Sequence, residues 1–137
     1  MKIAVIGTGY VGVTTAVSFA MLGHKATGID IDQDKIARLK QGIAGMYEPG
    51  LSEQLTRLLA SGGLVFTTSL LDGIGEAEAI FVCVGTPAQA DGSADLRYVH
   101  QAVADVRKAI AELERRDLKQ GNQPVMERLI VIKSTVP

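Results

Sequence analysis

"VIGTGYVG", residues 5–12, decides the fold. It sets G-x-G-x-x-G directly after an apolar run, "KIAVI" (2–6), and before a helical pattern from Tyr10 to Leu22. A glycine triplet alone is a weak sign. Between a strand and a helix, each glycine has a physical task. Gly7 permits a tight turn, Gly9 lets backbone approach a pyrophosphate, and Gly12 lets helix and strand touch. Tyr10 and Val11 open the helix, where free N–H groups and the positive end of the dipole favour phosphate. The turn holds no lysine, which argues against a P-loop. Ala16 and Gly23 continue the run of small residues.

Outward from this turn the chain alternates. Strand patterns fall at "KIAVI" (2–6), "KATGIDI" (25–31), "LVFT" (64–67), "AIFVCV" (79–84) and "RLIVIK" (128–133). The first, fourth and fifth are nearly continuous apolar runs, as in strands covered on both faces. Helical patterns lie at Tyr10–Leu22, Gln33–Gln41, Leu51–Ala60 and Leu70–Ala77, the last opened by Ser69 and Asp72 at capping-box-like spacing. A long one runs from Leu96 to Arg116, with Val99, Val103, Val106, Ile110 and Leu113 on one face. Such alternation predicts an α/β fold: a Rossmann-type doubly wound parallel sheet of at least five strands, helices on both faces. The polar segment 117–127, with Gly121 and Pro124, reads as a surface loop.

Asp30 follows the second strand, about twenty residues after the glycines. A carboxylate there can accept both hydroxyls of an adenosine ribose and would repel a 2′-phosphate, which favours NAD over NADP. Asp32 is better placed than Asp30 to cap the next helix. Lys35, one turn into that helix, is a candidate at the ribose, although its charge could also attract a 2′-phosphate. An FAD site is the weaker reading, because a flavin needs more enclosing chain and Glu is usual at the ribose.

Ligands of such sheets sit beyond the carboxyl ends of the strands, at the switch point between the first and fourth. There the fourth strand leads into Val84, Gly85, Thr86 and Pro87. Gly85 allows close approach, Thr86 offers a hydroxyl and Pro87 stiffens the exit. The fifth strand ends in Ser134 and Thr135 on the same rim. Cys83 reads as a small hydrophobe rather than a nucleophile. His24 and His100 have no acid partner in sight.

Composition narrows the classes. The chain has 137 residues, 47% apolar and 21% charged, with net charge −1. That suits one domain. No basic patch argues for nucleic acid or an anionic membrane. One cysteine and two histidines exclude an internal disulfide and give no support to a metal site. Ile3 to Gly23 is uncharged and could pass for a signal or membrane span, but its glycines and hydroxyls make it too polar. The expected home is the cytoplasm.

"MKIAVIGTGYVG", "YEPGL" (47–51), "VGTP" (84–87), "ADL" (94–96) and the closing "KSTVP" occur in order. Together they resemble the UDP-glucose/GDP-mannose dehydrogenase family over essentially the whole chain. The lysine of "KSTVP", Lys133, leans toward its UDP-glucose branch. The resemblance implies oxidation of the C6 alcohol of a nucleotide sugar, UDP-glucose to UDP-glucuronate, with two NAD and an aldehyde held on a cysteine. It implies that Gly7 to Gly12 cradle the pyrophosphate and that Asp30 and Lys35 reach the ribose. Thr86 and Thr135 would touch the cofactor, and Thr135 would also organise water at the reacting carbon.

Family enzymes are about three times longer. Residues 1–137 are therefore expected to be the NAD-binding domain of a longer enzyme. The sugar-binding domain, catalytic cysteine and central dimerisation helix would lie elsewhere, and the piece alone would be inactive. The full-length enzyme is expected to be a homodimer or larger. Alternatives are GDP-mannose or UDP-N-acetylmannosamine 6-dehydrogenase, a hydroxyacid or acyl-CoA dehydrogenase, and a non-enzymatic NAD-sensing module. The last two have no reason to keep "YEPGL".

Overall fold

A computed structural model describes residues 1–121 and 127–134. Five parallel strands form one sheet: β1 (Lys2–Ile6), β2 (Lys25–Ile29), β3 (Leu64–Thr67), β4 (Ala79–Val82) and β5 (Leu129–Ile132). Their order is β3-β2-β1-β4-β5. Ile3 pairs with Ala26 on one side and Ala79 on the other, so β1 is central. The strand numbering turns back between β1 and β4, which is the expected switch point.

Side chains of β1 alternate between two cores. Ile3 and Val5 pack with Val13, Ala16, Ile36, Leu55 and Phe66, under α1 (Tyr10–Met21), α2 (Gln33–Lys40) and α3 (Leu51–Ser61). Ala4 and Ile6 pack with Ile74, Ile80, Val82, Ala102 and Val106, under α4 (Leu70–Ile74) and α5 (Arg97–Lys119). Apolar area removed from water on both faces is the main stabilising term.

The helix ends follow local chemistry. Asp32 caps α2 by accepting from the Lys35 N–H, and Ser69 caps α4 by accepting from the Asp72 N–H. The short α4 stops before the expected Ala77, its path fixed by close packing. A Cβ on Gly73 would lie 2.4 Å from Ile29 Cδ1. Helix α5 runs to Lys119, into the segment expected to be loop. Paired Glu112, Arg115 and Arg116 support its last turns. Residues 122–126 of that expected loop lie outside the described residues.

Strands β2 and β4 are shorter than expected, ending at Ile29 and Val82. Their chains turn out of the sheet to form the rim of the site. Strand β5 differs from the other strands among the described residues. Its apolar run predicts burial on both faces, yet Leu129 is 63%, Ile130 40% and Ile132 48% exposed. Among the described residues β5 pairs only with β4. Among the described residues it stands at the edge of the sheet, and no described helix covers it as α1 covers β1. Among the described residues no helix is long and apolar enough to cross a membrane.

Candidate dinucleotide site

A cavity of about 680 Å³ opens at the carboxyl ends of β1 and β4. Gly7, Gly9, Tyr10, Val11, Asp30, Lys35, Val84, Gly85, Thr86, Pro87 and Ser134 all line it. Gly12 lies beneath the wall and Thr135 outside the described residues.

The glycine turn is built by contact. Gly7 has φ +95°, and a Cβ there would lie 2.8 Å from the Cys83 carbonyl oxygen. A Cβ on Gly12 would lie 1.7 Å from the Gly7 carbonyl oxygen, so any side chain would push α1 off the turn. Gly9 and Gly85 differ: a Cβ on either would meet nothing within 4 Å. Their missing side chains leave open space against the cavity wall. Helix α1 has no side-chain cap and no acidic residue in its first turn. Its leading N–H groups therefore lack intrahelical partners and suit an anion.

Asp30 closes one end. Its Oδ2 accepts from the Thr8 N–H at 2.9 Å and the Thr8 hydroxyl at 2.8 Å. Its Oδ1 accepts from the Asp32 N–H at 3.0 Å. Lys35 Nζ stands 3.8 Å from Oδ2. Partial burial alone would raise the Asp30 carboxyl pKa. The Asp32 and Thr8 hydrogen bonds, with the Lys35 charge, outweigh it and hold the group below the ordinary range. Asp30 is thus ionised at neutral pH.

The opposite rim is tied together. Ser134 Oγ donates to the Val84 carbonyl at 2.7 Å, so its hydroxyl fixes the exit of β4. The Asp95 N–H donates to the Pro87 carbonyl at 2.8 Å. Asp95 in turn takes three bonds from the Arg97 side chain and one from its N–H. The "ADL" segment thereby anchors the "VGTP" rim to the start of α5. "YEPGL" is also near, since Tyr10 Oη donates to Glu48 at 3.2 Å.

Cys83 lies just past β4, buried, with its thiol pKa raised by burial against opposing pulls from Lys133 and Thr15. A thiol of that kind is a poor nucleophile. His24 Nδ1 is 3.2 Å from the Met1 amino group, and His100 is exposed on α5. Among the described residues no cluster of His, Cys, Asp and Glu could hold a metal.

Sequence reasoning missed Thr8, Ile31, Thr68, Leu70, Tyr98, Gln101 and Asp105, which also line the cavity. Those on α5 carried no local signal, because only the tertiary fold brings that helix over β4. Thr8 had one: a polar residue inside a turn that must be buried.

Fold, switch point, glycine turn and the acid after β2 define a dinucleotide-binding α/β domain. Residues 1–137 match the UDP-glucose/GDP-mannose dehydrogenase family, NAD binding domain, and the chain belongs to that family. It is 43% identical over its whole length to a UDP-glucose 6-dehydrogenase of Bacillus subtilis, spanning 28% of that protein. A UDP-glucose dehydrogenase structure from Pyrobaculum islandicum superposes with TM-score 0.85 at 42% identity, over 99% of this chain and 29% of that one. A GDP-mannose dehydrogenase from Pseudomonas aeruginosa gives TM-score 0.85 at 32% identity, with the same coverage. The chain thus spans less than a third of the relatives' length.

Proposed function

We propose that this chain holds NAD for an enzyme that oxidises UDP-glucose at C6 to UDP-glucuronate. The observation that carries the cofactor half is the open space at Gly9 and Gly85, facing one cavity with the ionised Asp30 at its end. The residues fit NAD. The N–H groups of Tyr10, Val11 and Gly12 would receive the pyrophosphate, with Gly7 and Gly9 shaping the turn. Asp30 and Lys35 would take the adenosine ribose. Val84, Gly85, Thr86 and Pro87, with Ser134 behind them, would form the wall along the nicotinamide half. Thr135, next along from Ser134, is the candidate to touch the cofactor and organise water at the reacting carbon. When bound, NAD supplies a hydride acceptor, and two are needed to take an alcohol to a carboxylate.

Lys35 Nζ stands 3.8 Å from Asp30 Oδ2, and this neighbouring carboxylate weighs against Lys35 drawing in the 2′-phosphate of NADP. The 43% identity to a UDP-glucose 6-dehydrogenase supports the sugar assignment. The likeness to a GDP-mannose dehydrogenase keeps that sugar as the second reading. Sugar recognition and dimerisation would fall to other parts of the enzyme. The test is NADH formation by the intact protein with UDP-glucose, GDP-mannose and UDP-N-acetylmannosamine in parallel. The expected result is turnover with UDP-glucose and about two NADH per sugar. Turnover with GDP-mannose alone would overturn the sugar assignment, and NADPH formation in preference to NADH would overturn the cofactor assignment.

A further inference from the structure

Thr8 is 2% exposed, one of few buried polar residues. It sits between Gly7 and Gly9, where the backbone already meets β2 through the Gly7 N–H and Ile29 carbonyl at 2.8 Å. Both of its donors, amide and hydroxyl, go to a single atom, Oδ2 of Asp30. Its methyl lies against Gly28, where an added Cβ would come within 3.4 Å of it. The side chain is therefore fixed at both ends of its branch.

An ionised carboxylate has about four acceptor positions. Thr8 fills the two on Oδ2. The Asp32 N–H fills one on Oδ1. One position on Oδ1 is left for a ligand. This is narrower than an acid that takes both ribose hydroxyls, and it leaves the second hydroxyl to the Lys35 ammonium beside it.

We propose that Thr8 is a positioning residue for cofactor choice: it locks Asp30 so that Oδ1 alone faces the adenosine ribose of NAD, and so sets the preference for NAD over NADP. The inference rests on the reading of Asp30 as the ribose acid. A locked carboxylate cannot turn aside for a 2′-phosphate. Without the hydroxyl of Thr8, Oδ2 keeps only the Thr8 N–H and Oδ1 the Asp32 N–H, so the carboxylate is held less firmly and can tilt, losing alignment with the ribose and easing its clash with the phosphate.

Calorimetric titration of the intact protein with NAD and with NADP tests this in four variants. Thr8→Val keeps the methyl and the amide but removes the hydroxyl. It is expected to weaken NAD about tenfold, to change NADP less than twofold, and so to narrow the ratio of the two. Thr8→Ser restores the hydroxyl and is expected to recover the wild-type ratio. Thr8→Ala gives the same readout as valine if valine is not accommodated. Asp30→Ala separates the layers. If it weakens NAD while Thr8→Val and Thr8→Ala leave the ratio unchanged, the inference about Thr8 is overturned and the ribose reading stands. If Asp30→Ala leaves NAD binding unchanged, both fall. Equal weakening of NAD and NADP by the Thr8 variants, with no change in ratio, marks a purely structural role and also overturns the inference.

Discussion

At the scale of the residue, single atoms decide what is tolerated. Gly12 shows this most sharply, because its missing Cβ is a matter of contact with backbone and not of conformation. Replacing it with alanine puts carbon 1.7 Å from the Gly7 carbonyl oxygen, and neither partner is a side chain that could swing away. Helix α1 must lift off β1. Gly12→Ala is expected to destabilise by about 3 kcal/mol, the upper part of the overpacking range, and to abolish NAD binding. Gly9→Ala has open space and should fold normally while weakening NAD. Denaturant melts of both, with NAD titration, check the contrast. The spacing of the glycines carried these roles in the sequence. The coupling of Thr8 to Asp30 did not show there, because two residues in different turns meet only once β1 and β2 are paired.

At the scale of elements, α5 and the rim before it behave as one unit. Asp95 is nearly buried, its side chain 7% exposed, beneath an Arg97 side chain that is 85% exposed. Hydrogen bonds from the Arg97 side chain, then from its N–H, pull the Asp95 carboxyl down to about 2. In an unfolded chain an aspartate titrates near 3.9. The folded value is the lower one, so Asp95 stabilises fully above roughly pH 4 and loses that contribution as pH falls through about 2. Asp95→Asn is therefore expected to be less stable at neutral pH and to show a shallower loss of melting temperature between about pH 4 and pH 2. Parallel acid limbs in the two proteins would sink this account. Element types were readable in the sequence because the change from period two to period 3.6 is local. The place of β5 at the edge of the described sheet was not. A run such as "LIVI" is the same whether a strand is central or at the edge, and only topology tells them apart.

At the scale of the molecule, the cavity exists because β1 and β4 are neighbours whose following segments diverge to opposite faces. The alternation of strands and helices made that arrangement legible before any contact was known. Extending α5 across the mouth of the cavity, with Tyr98, Gln101 and Asp105 in its lining, was not legible, since helix placement depends on the whole sheet. A ligand that binds only the folded chain stabilises it by mass action. NAD at a hundred times its Kd should add about 2.7 kcal/mol and raise the melting temperature of the intact protein by several degrees. NADP at the same concentration should give less than half that shift. Equal shifts would contradict a site that discriminates at the ribose.

The central place of β1 has a consequence in time. Lys2 donates its N–H to Glu78, 76 positions along the chain, and Ile3 pairs with Ala79 beside it. On a ribosome adding roughly 5–20 residues per second, β1 is made before β4 and waits about 4–15 seconds for this neighbour. Strands β2 and β3 can join it earlier, but its other edge offers unpaired backbone groups until β4 emerges. Among the described strands, the one at the heart of the sheet is thus the one that waits longest for its second neighbour.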